Sequence, residues 1–361
     1  MDDHDETSAE QGRRALRVGL TGCLGGLEAL PYSEAVARIA DAEAAGLDGV
    51  WVNEEHLGQP GARGTCLSPL AFLAFVAGRT RSLRLGTTVL VLPLHHPLRL
   101  AEETATVHEL SGHRLHLGVS PGHPGAYFTA FDVDPEQRYA DYDATVAALR
   151  ALWAGERVSM RTSRQQLTDA SLQITPEVPP VIYRGAFTTE SAAAAARSDT
   201  PLVQHLIQSP ESLRRGRAAY RAAAPDTRRG AAALAASPVS RFVYLAEDDE
   251  QANAESALCA EALAQRLRMF GADRRRGATT LDDLDPVRLQ TETAIVGGPA
   301  TVAGRLRALA DELGTDTVNC NLGWIGSVDA AALRRGFDLL CMEVIPMLAG
   351  DVGIGTPATR S

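Results

Sequence analysis

Hydrophobic and polar positions alternate along the chain in two rhythms. Short apolar, β-branched runs recur at residues 15–20, 48–53, 83–92, 114–119, 181–184, 202–206, 239–245 and 317–322, and each reads as a strand. Between them, apolar positions return every three or four residues. After Ser33, a capping residue type, Val36, Ile39, Ala40 and Ala44 line one helical face until Gly46 ends it. The same spacing predicts helices over 69–79, 98–110, 138–154, 188–197, 210–224, 248–269, 299–313 and 329–348. The last of these carries Leu333, Phe337, Leu340, Cys341 and Val344 as one stripe.

Eight strand–helix units in one chain favour an α/β fold closed as a (β/α)8 TIM barrel with insertions over an open sheet. No GxGxxG follows the first strand, which counts against a dinucleotide-binding Rossmann domain. Residues 158–174 alternate polar and apolar and read as a hairpin insertion. The stretch 118–134 is a Gly/Pro/His loop followed by little periodicity, and 58–65 is a Gly/Pro loop. Residues 271–290 are polar and irregular, expected to form a mobile excursion whose Arg274, Arg275 and Arg276 read as a lid or a solvated basic loop. The ends, 1–14 and 349–361, read as tails, so that 15–348 is expected to be a single barrel domain.

Composition removes several chemistries. The chain has 361 residues and a net charge of −10, and all 35 of its basic residues are arginine. Without lysine no side chain can form a Schiff base, which excludes pyridoxal enzymes and lysine aldolases. A P-loop is excluded for the same reason. The acidic balance argues against nucleic-acid and anionic-membrane partners. The apolar stretches fall far short of a membrane span. Five cysteines, odd in number, scattered and without a CxxC, predict reduced thiols in a cytoplasm.

Seven of the nine histidines lie between His56 and His123, at or near the ends of the second, third and fourth strands. Those ends form the mouth of a barrel, where catalytic groups concentrate. A zinc site fails on pattern, because there is no HExxH and the adjacent His95 and His96 diverge. No metal is therefore expected. His108, His113 and His116 read as helix-surface or loop groups. Phe128, Phe131, His205 and Trp324 read either as the lining of an apolar pocket or as core.

The runs DGVWVNEEH (48–56), LRLGTTVLVLPLHHP (83–97), LRLAEETATVHELSGHRLHLG (98–118) and VIYRGAFTTE (181–190), with 296–320, together resemble the bacterial luciferase-like flavin monooxygenase family. The likeness rests on their order and spacing. It implies a TIM barrel with reduced FMN at the C-terminal mouth of the strands, or the deazaflavin F420 in some relatives. It also implies a cytoplasmic homodimer packed through the helices at 69–79 and 98–110.

The resemblance assigns roles by position. Glu54 matches a glutamate beside the flavin. Glu55 stands where luciferases place a proton-transferring histidine, and His56 matches the second histidine of that pair. A carboxylate is a poor general acid at neutral pH unless burial shifts it. Either Glu55 is so shifted, or His56 takes over, or the step is dispensed with; Glu55 and His56 are the catalytic candidates. The bland reading of Glu54 and Glu55 is a solvated strand edge. The Thr88–Val89 bond matches a non-proline cis peptide set against the flavin ring. Ser120 replaces a reactive cysteine. For the phosphate, Arg138 and the turn Gly185, Ala186, Thr188 match family positions. Pro121 stands where an arginine is frequent and Arg184 where luciferase is acidic, an exchange that conserves local charge.

The leading expectation is an FMNH2-dependent two-component monooxygenase. A separate flavin reductase would feed it, and O2 would be carried through a C4a-peroxyflavin to a small organic substrate, in a tailoring step of specialised metabolism. The alternatives are an F420-dependent hydride-transfer oxidoreductase and a flavin-binding, catalytically impaired subunit-like homologue.

Overall fold

The computed structural model describes residues 15–57, 66–271 and 284–349. In chain order the first half holds β1 (Arg17–Gly22), α1 (Tyr32–Ala42), β2 (Gly49–Val52), α2 (Pro69–Ala77), β3 (Arg84–Thr87), β4 (Leu90–Val91), α3 (Pro97–Leu110), β5 (Leu115–Ser120), α4 (Ala126–Ala130), α5 (Arg138–Trp153), β6 (Val158–Arg161), β7 (Gln166–Ala170) and β8 (Val181–Gly185). The second half holds α6 (Thr189–Ala196), β9 (Leu202–Val203), α7 (Pro210–Ala223), α8 (Thr227–Ala236), β10 (Val239–Leu245), α9 (Asp249–Gly271), α10 (Pro286–Arg288), β11 (Ile295–Gly297), α11 (Pro299–Leu313), β12 (Thr317–Asn321), α12 (Ala330–Leu339) and α13 (Ile345–Leu348).

Eight strands run parallel around a ring in the order β1, β2, β3, β5, β8, β9, β10, β12. β12 pairs back onto β1, and a parallel bridge from Gln204 to Val239 joins β9 to β10 and closes the ring. This is the (β/α)8 barrel. β11 is an extra strand on the upper part of β10, and β6 and β7 pair antiparallel as a separate sheet between α5 and β8.

Register divides the side chains between two faces. Thr21, Trp51, Gly86 and His116 lie abreast on the inner face, while Val18, Leu20, Val50, Val52, Leu117 and Val119 lie under the helices in the main apolar core. Gly86 leaves the room that Trp51 fills: a Cβ there would lie 2.1 Å from the indole. The interior is polar. Trp51 Nε1 and both side-chain polar atoms of Asn319 are buried without a hydrogen-bond partner in the structure, an arrangement suited to internal water.

The periodic segments fold as expected, with local departures. α1 begins at Tyr32 after Pro31, so Ser33 lies inside the first turn and does not cap it. The third strand is two strands, β3 and β4, because the peptide bond between Thr88 and Val89 is cis and interrupts the ladder. Three helices, α4, α8 and α10, do not stand out in the sequence pattern. α8 is alanine-rich, so its apolar stripe is faint, but Asp226 caps it by accepting from the Arg229 amide. α4 is a single short helix inside the aperiodic stretch after β5. Within 271–290, residues 286–288 are helical and run into a π-turn over 289–293, and 272–283 lie outside the described residues, as do 1–14 and 350–361.

The expectation of reduced thiols is overturned for one pair. Cys23, just past β1, and Cys66, just before α2, stand 4.5 Å apart at Cα and form a disulfide across 43 residues. Cys259, Cys320 and Cys341 are free thiols. The spacing gave no sign of this pairing, because it depends on two neighbouring strand-to-helix connections meeting at the barrel mouth. No described helix is long and apolar enough to cross a membrane.

Candidate active site

The segment that leaves β2 carries Glu54, Glu55 and His56 to the C-terminal mouth. Glu54 turns inward and is buried. Its Oε1 accepts from His95 Nε2 at 2.7 Å and lies 3.2 Å from His56 Nε2, and its Oε2 accepts from the Val91 amide at 2.7 Å. Burial alone would raise this carboxyl. The hydrogen bonds from His56 and His95, the coulombic pull of His95 and the Val91 amide outweigh it and hold Glu54 at about 2. The solvated-edge reading of Glu54 is thereby excluded. The same hydrogen bond raises His56 above the ordinary imidazole value against the lowering effect of desolvation, and the charges of Glu54 and Glu55 add to the rise.

Glu55 takes a different partner. The Tyr127 hydroxyl on α4 donates to Glu55 Oε2. The Tyr127 ring stands edge-on to His56 with centroids 5.9 Å apart, and Phe131 at the end of α4 lies 4.7 Å from the same imidazole. The mouth therefore joins Glu54, Glu55 and His56 to His95, Tyr127 and Phe131. Tyr127 was missed in the sequence because nothing in the aperiodic loop marks a helix there.

A second group forms a cradle beside this cluster. Thr88 donates to Asn53 Oδ1 at 2.9 Å and is 3.3 Å from the Thr21 hydroxyl. The cis bond to Val89 falls at the position that the family resemblance indicates. Ser120 at the end of β5 accepts from the Gly122 amide at 3.1 Å. A Cβ on Gly185 would lie 3.3 Å from both Ser120 Cβ and Val89 Cγ1, so the ends of β5, β8 and the cis turn converge closely there.

The arginines form a third group. Arg138 opens α5, donates to the Pro135 carbonyl at 2.5 Å and stacks over Tyr139 at 4.4 Å. Arg184 shares the outer, helix-facing side of β8 with Ile182, and its guanidinium lies 4.7 Å from the Tyr142 ring, one helical turn along α5 from Arg138. Arg184 Nε is buried without a partner. A cavity of about 200 Å³ opens beside it between α5 and β8, lined by Tyr142, Asp143, Arg150, Arg184, Ser198 and Thr200 among others. It lies on the outer face of the barrel and not at the Glu54 cluster. Thr188 caps α6 by accepting from the Ser191 amide at 3.2 Å, and Ala186 is buried in the small core that α6 makes with α7 and α8.

Other candidates resolve into packing. Trp324 and Phe128 are buried, Trp324 donating to the Val243 carbonyl at 3.0 Å. His205 stacks near Phe187 at 5.1 Å. Two histidines read as surface groups are inside the protein. His108 is buried and stacks on His113 at 5.2 Å, and His116 points into the barrel with Nδ1 3.0 Å from the Tyr183 hydroxyl. His116 alternates with Leu115 and Leu117 along β5, and which face of the strand turns into the barrel could not be told from the sequence. Among the described residues no group of three or more His, Cys, Asp or Glu is arranged to hold a metal ion.

The mouth of this parallel barrel thus couples a buried carboxylate, Glu54, to two histidines next to the cis turn. The family model for luciferase-like monooxygenases matches residues 14–317, and the chain belongs to that family. It is 36% identical over 132 residues to a 4-hydroxyprotoasukamycin monooxygenase of Streptomyces nodosus subsp. asukaensis, covering 36% of this chain and 35% of that one. It is 35% identical over 161 residues to an F420-dependent glucose-6-phosphate dehydrogenase of Beutenbergia cavernae, covering 43% and 47%. The matched region thus spans less than half the length of either curated relative. In fold it resembles the oxygenating constituent of the 3,6-diketocamphane monooxygenase of Pseudomonas putida, a type II Baeyer–Villiger enzyme solved in complex with FMN. The TM-score is 0.70 at 18% identity, covering 92% of this chain and 98% of that one.

Proposed function

We propose that the chain is the oxygenating component of a two-component monooxygenase, taking reduced FMN from a separate reductase and O2 to a small organic substrate. The observation that carries this reading is the mouth cluster, in which buried Glu54, held at about 2, raises the proton affinity of His56 and is tied by the Val91 amide to the segment just past the cis turn. Gly185 sets no side chain between Ser120 and Val89, and with Thr88 and Glu54 on the neighbouring strand-end connections these residues would receive the flavin ring. Arg138, Arg184 and the turn through Gly185, Ala186 and Thr188 would hold the phosphate, and the unpartnered Arg184 Nε is a donor without an acceptor. When bound, reduced flavin supplies the electrons that activate O2. The protein's own part is to exclude water and to hold a proton on His56 for delivery to the oxygen that leaves or the oxyanion that forms.

The second reading is hydride transfer with F420, which the dehydrogenase relative supports. Anaerobic titration with reduced FMN and with reduced F420, followed by admission of O2, separates the two. Saturable binding of reduced FMN with O2 consumption is the expected result. Tight F420 binding without FMN binding replaces this reading with the second. Binding of oxidised FMN without O2 consumption by the reduced complex identifies a catalytically impaired homologue.

A further inference from the structure

The imidazole of His56 is held from three sides. From its own segment, Glu54 takes Nε2 at 3.2 Å and Glu55 adds a second negative charge. From the connection after β4, His95 shares the same Glu54 oxygen at 2.7 Å. From α4, Tyr127 and Phe131 set their rings against the imidazole at 5.9 and 4.7 Å. Glu55 reaches His56 through its charge and not through a hydrogen bond. What fixes it there is the Tyr127 hydroxyl, donated to Oε2 from an element more than 70 residues away in sequence.

We infer that Tyr127 is a positioning residue for proton delivery: its hydroxyl locks the Glu55 carboxylate beside His56, so that docking of α4 and the charge of the imidazole are one coupled event. The inference rests on the reading of His56 as the proton donor and adds the element that controls it. It also gives Glu55 a role that differs from the histidine it replaces. Glu55 acts through the neighbouring histidine. With α4 docked, Glu54 and the Tyr127-held Glu55 both add negative charge near the imidazole and favour its protonated form. With the hydroxyl removed, Glu55 turns to water and the imidazole gives up its proton at lower pH.

The coupling is readable without cofactor or substrate. Isotope-labelled histidine in the full chain is titrated by NMR, with the His56 resonance identified by its loss in His56→Asn. Tyr127→Phe keeps the ring against His56 and deletes only the hydroxyl. It is expected to lower the His56 midpoint by about half a pH unit, the size of a partly exposed ion pair. Glu55→Gln is expected to lower it by at least as much, and the double variant no further than Glu55→Gln alone, since both act through one carboxylate. A wild-type midpoint in Tyr127→Phe overturns the inference, as does a wild-type midpoint in Glu55→Gln or an additive double variant. Because these measurements use the cofactor-free chain, their failure is distinct from a failure to bind reduced FMN.

Discussion

His56 and His116 are both imidazoles in the barrel, and their surroundings push them in opposite directions. His56 gains its Glu54 partner on folding, and its affinity for the proton rises. A reaction that needs the protonated form should run fully at acid pH and fall as pH rises through the folded His56 midpoint, which lies above the ordinary imidazole value of about 6.5. His56→Asn should remove that limb and cost roughly 10²- to 10⁴-fold in turnover, the usual worth of a positioned proton donor. A pH–rate profile of both proteins, taken once the substrate is known, checks it. His116 has lost its solvent and gained no anion. Burial and the charges of Arg84, His108 and Arg17 lower it to about 3, so it stays neutral and accepts or donates a single hydrogen bond with Tyr183. Between about 6.5 and about 3 the unfolded chain binds a proton that the folded chain refuses, so stability is lost as pH falls through that window. His116→Phe should flatten this acid dependence. At pH 7 it should also cost about 1–3 kcal/mol, because the Tyr183 hydroxyl is left without its partner. Urea midpoints at pH 7, 5.5 and 4.5 give both quantities, and an unchanged acid slope in the variant would show that His116 is not the group responsible.

At the scale of elements, the mouth is assembled by connections that follow strands, and here the sequence was only partly legible. Strand β10 and helix α11 match their expected bounds because β-branched and helical periods are long and unbroken there. The same periods carried Glu54, Glu55 and His56 to a strand end, and the family resemblance placed the Thr88–Val89 bond. What stayed hidden was relational. Tyr127 reaches Glu55 only because α4 folds over the mouth, and His95 meets Glu54 only because the chain turns after β4. Cys23 and Cys66 meet for the same reason, and their bond is the strongest tie between the first two connections. It closes a loop of 43 residues, and by the chain-entropy relation it is worth about 4 kcal/mol against the unfolded chain. Intact mass under non-reducing conditions should show one disulfide. Full reduction, or Cys23→Ser, should lower stability by about 2–4 kcal/mol. A count of five thiols on the denatured, unreduced protein would refute the pairing.

Among the described residues, the face of α2 is an apolar surface left uncovered by the fold. α2 is nine residues without a polar side chain, and a helix apolar on all sides belongs in an interior. Only one side of it is covered. Leu70, Phe72, Leu73, Val76 and Ala77 are buried, whereas Ala71 and Ala74 face outward and Phe75 is 51% exposed. α3 packs alongside and leaves Leu110 79% exposed at its end. Arg79 covers part of the Phe75 ring at 3.6 Å, which shields the ring without removing its need for a partner. A second copy of the chain meeting this face about a two-fold axis would set α2 and α3 against their equivalents and bury the patch on both sides at once. The barrel mouth lies at the strand ends and not on this flank, so pairing would leave the Glu54 cluster accessible. Sedimentation at micromolar concentration should therefore give twice the chain mass. Phe75→Glu should shift it to the single-chain mass while leaving the far-ultraviolet circular dichroism intact, because the substituted position faces outward. A wild-type chain that sediments as a monomer across that range would assign the patch to some other role than self-association.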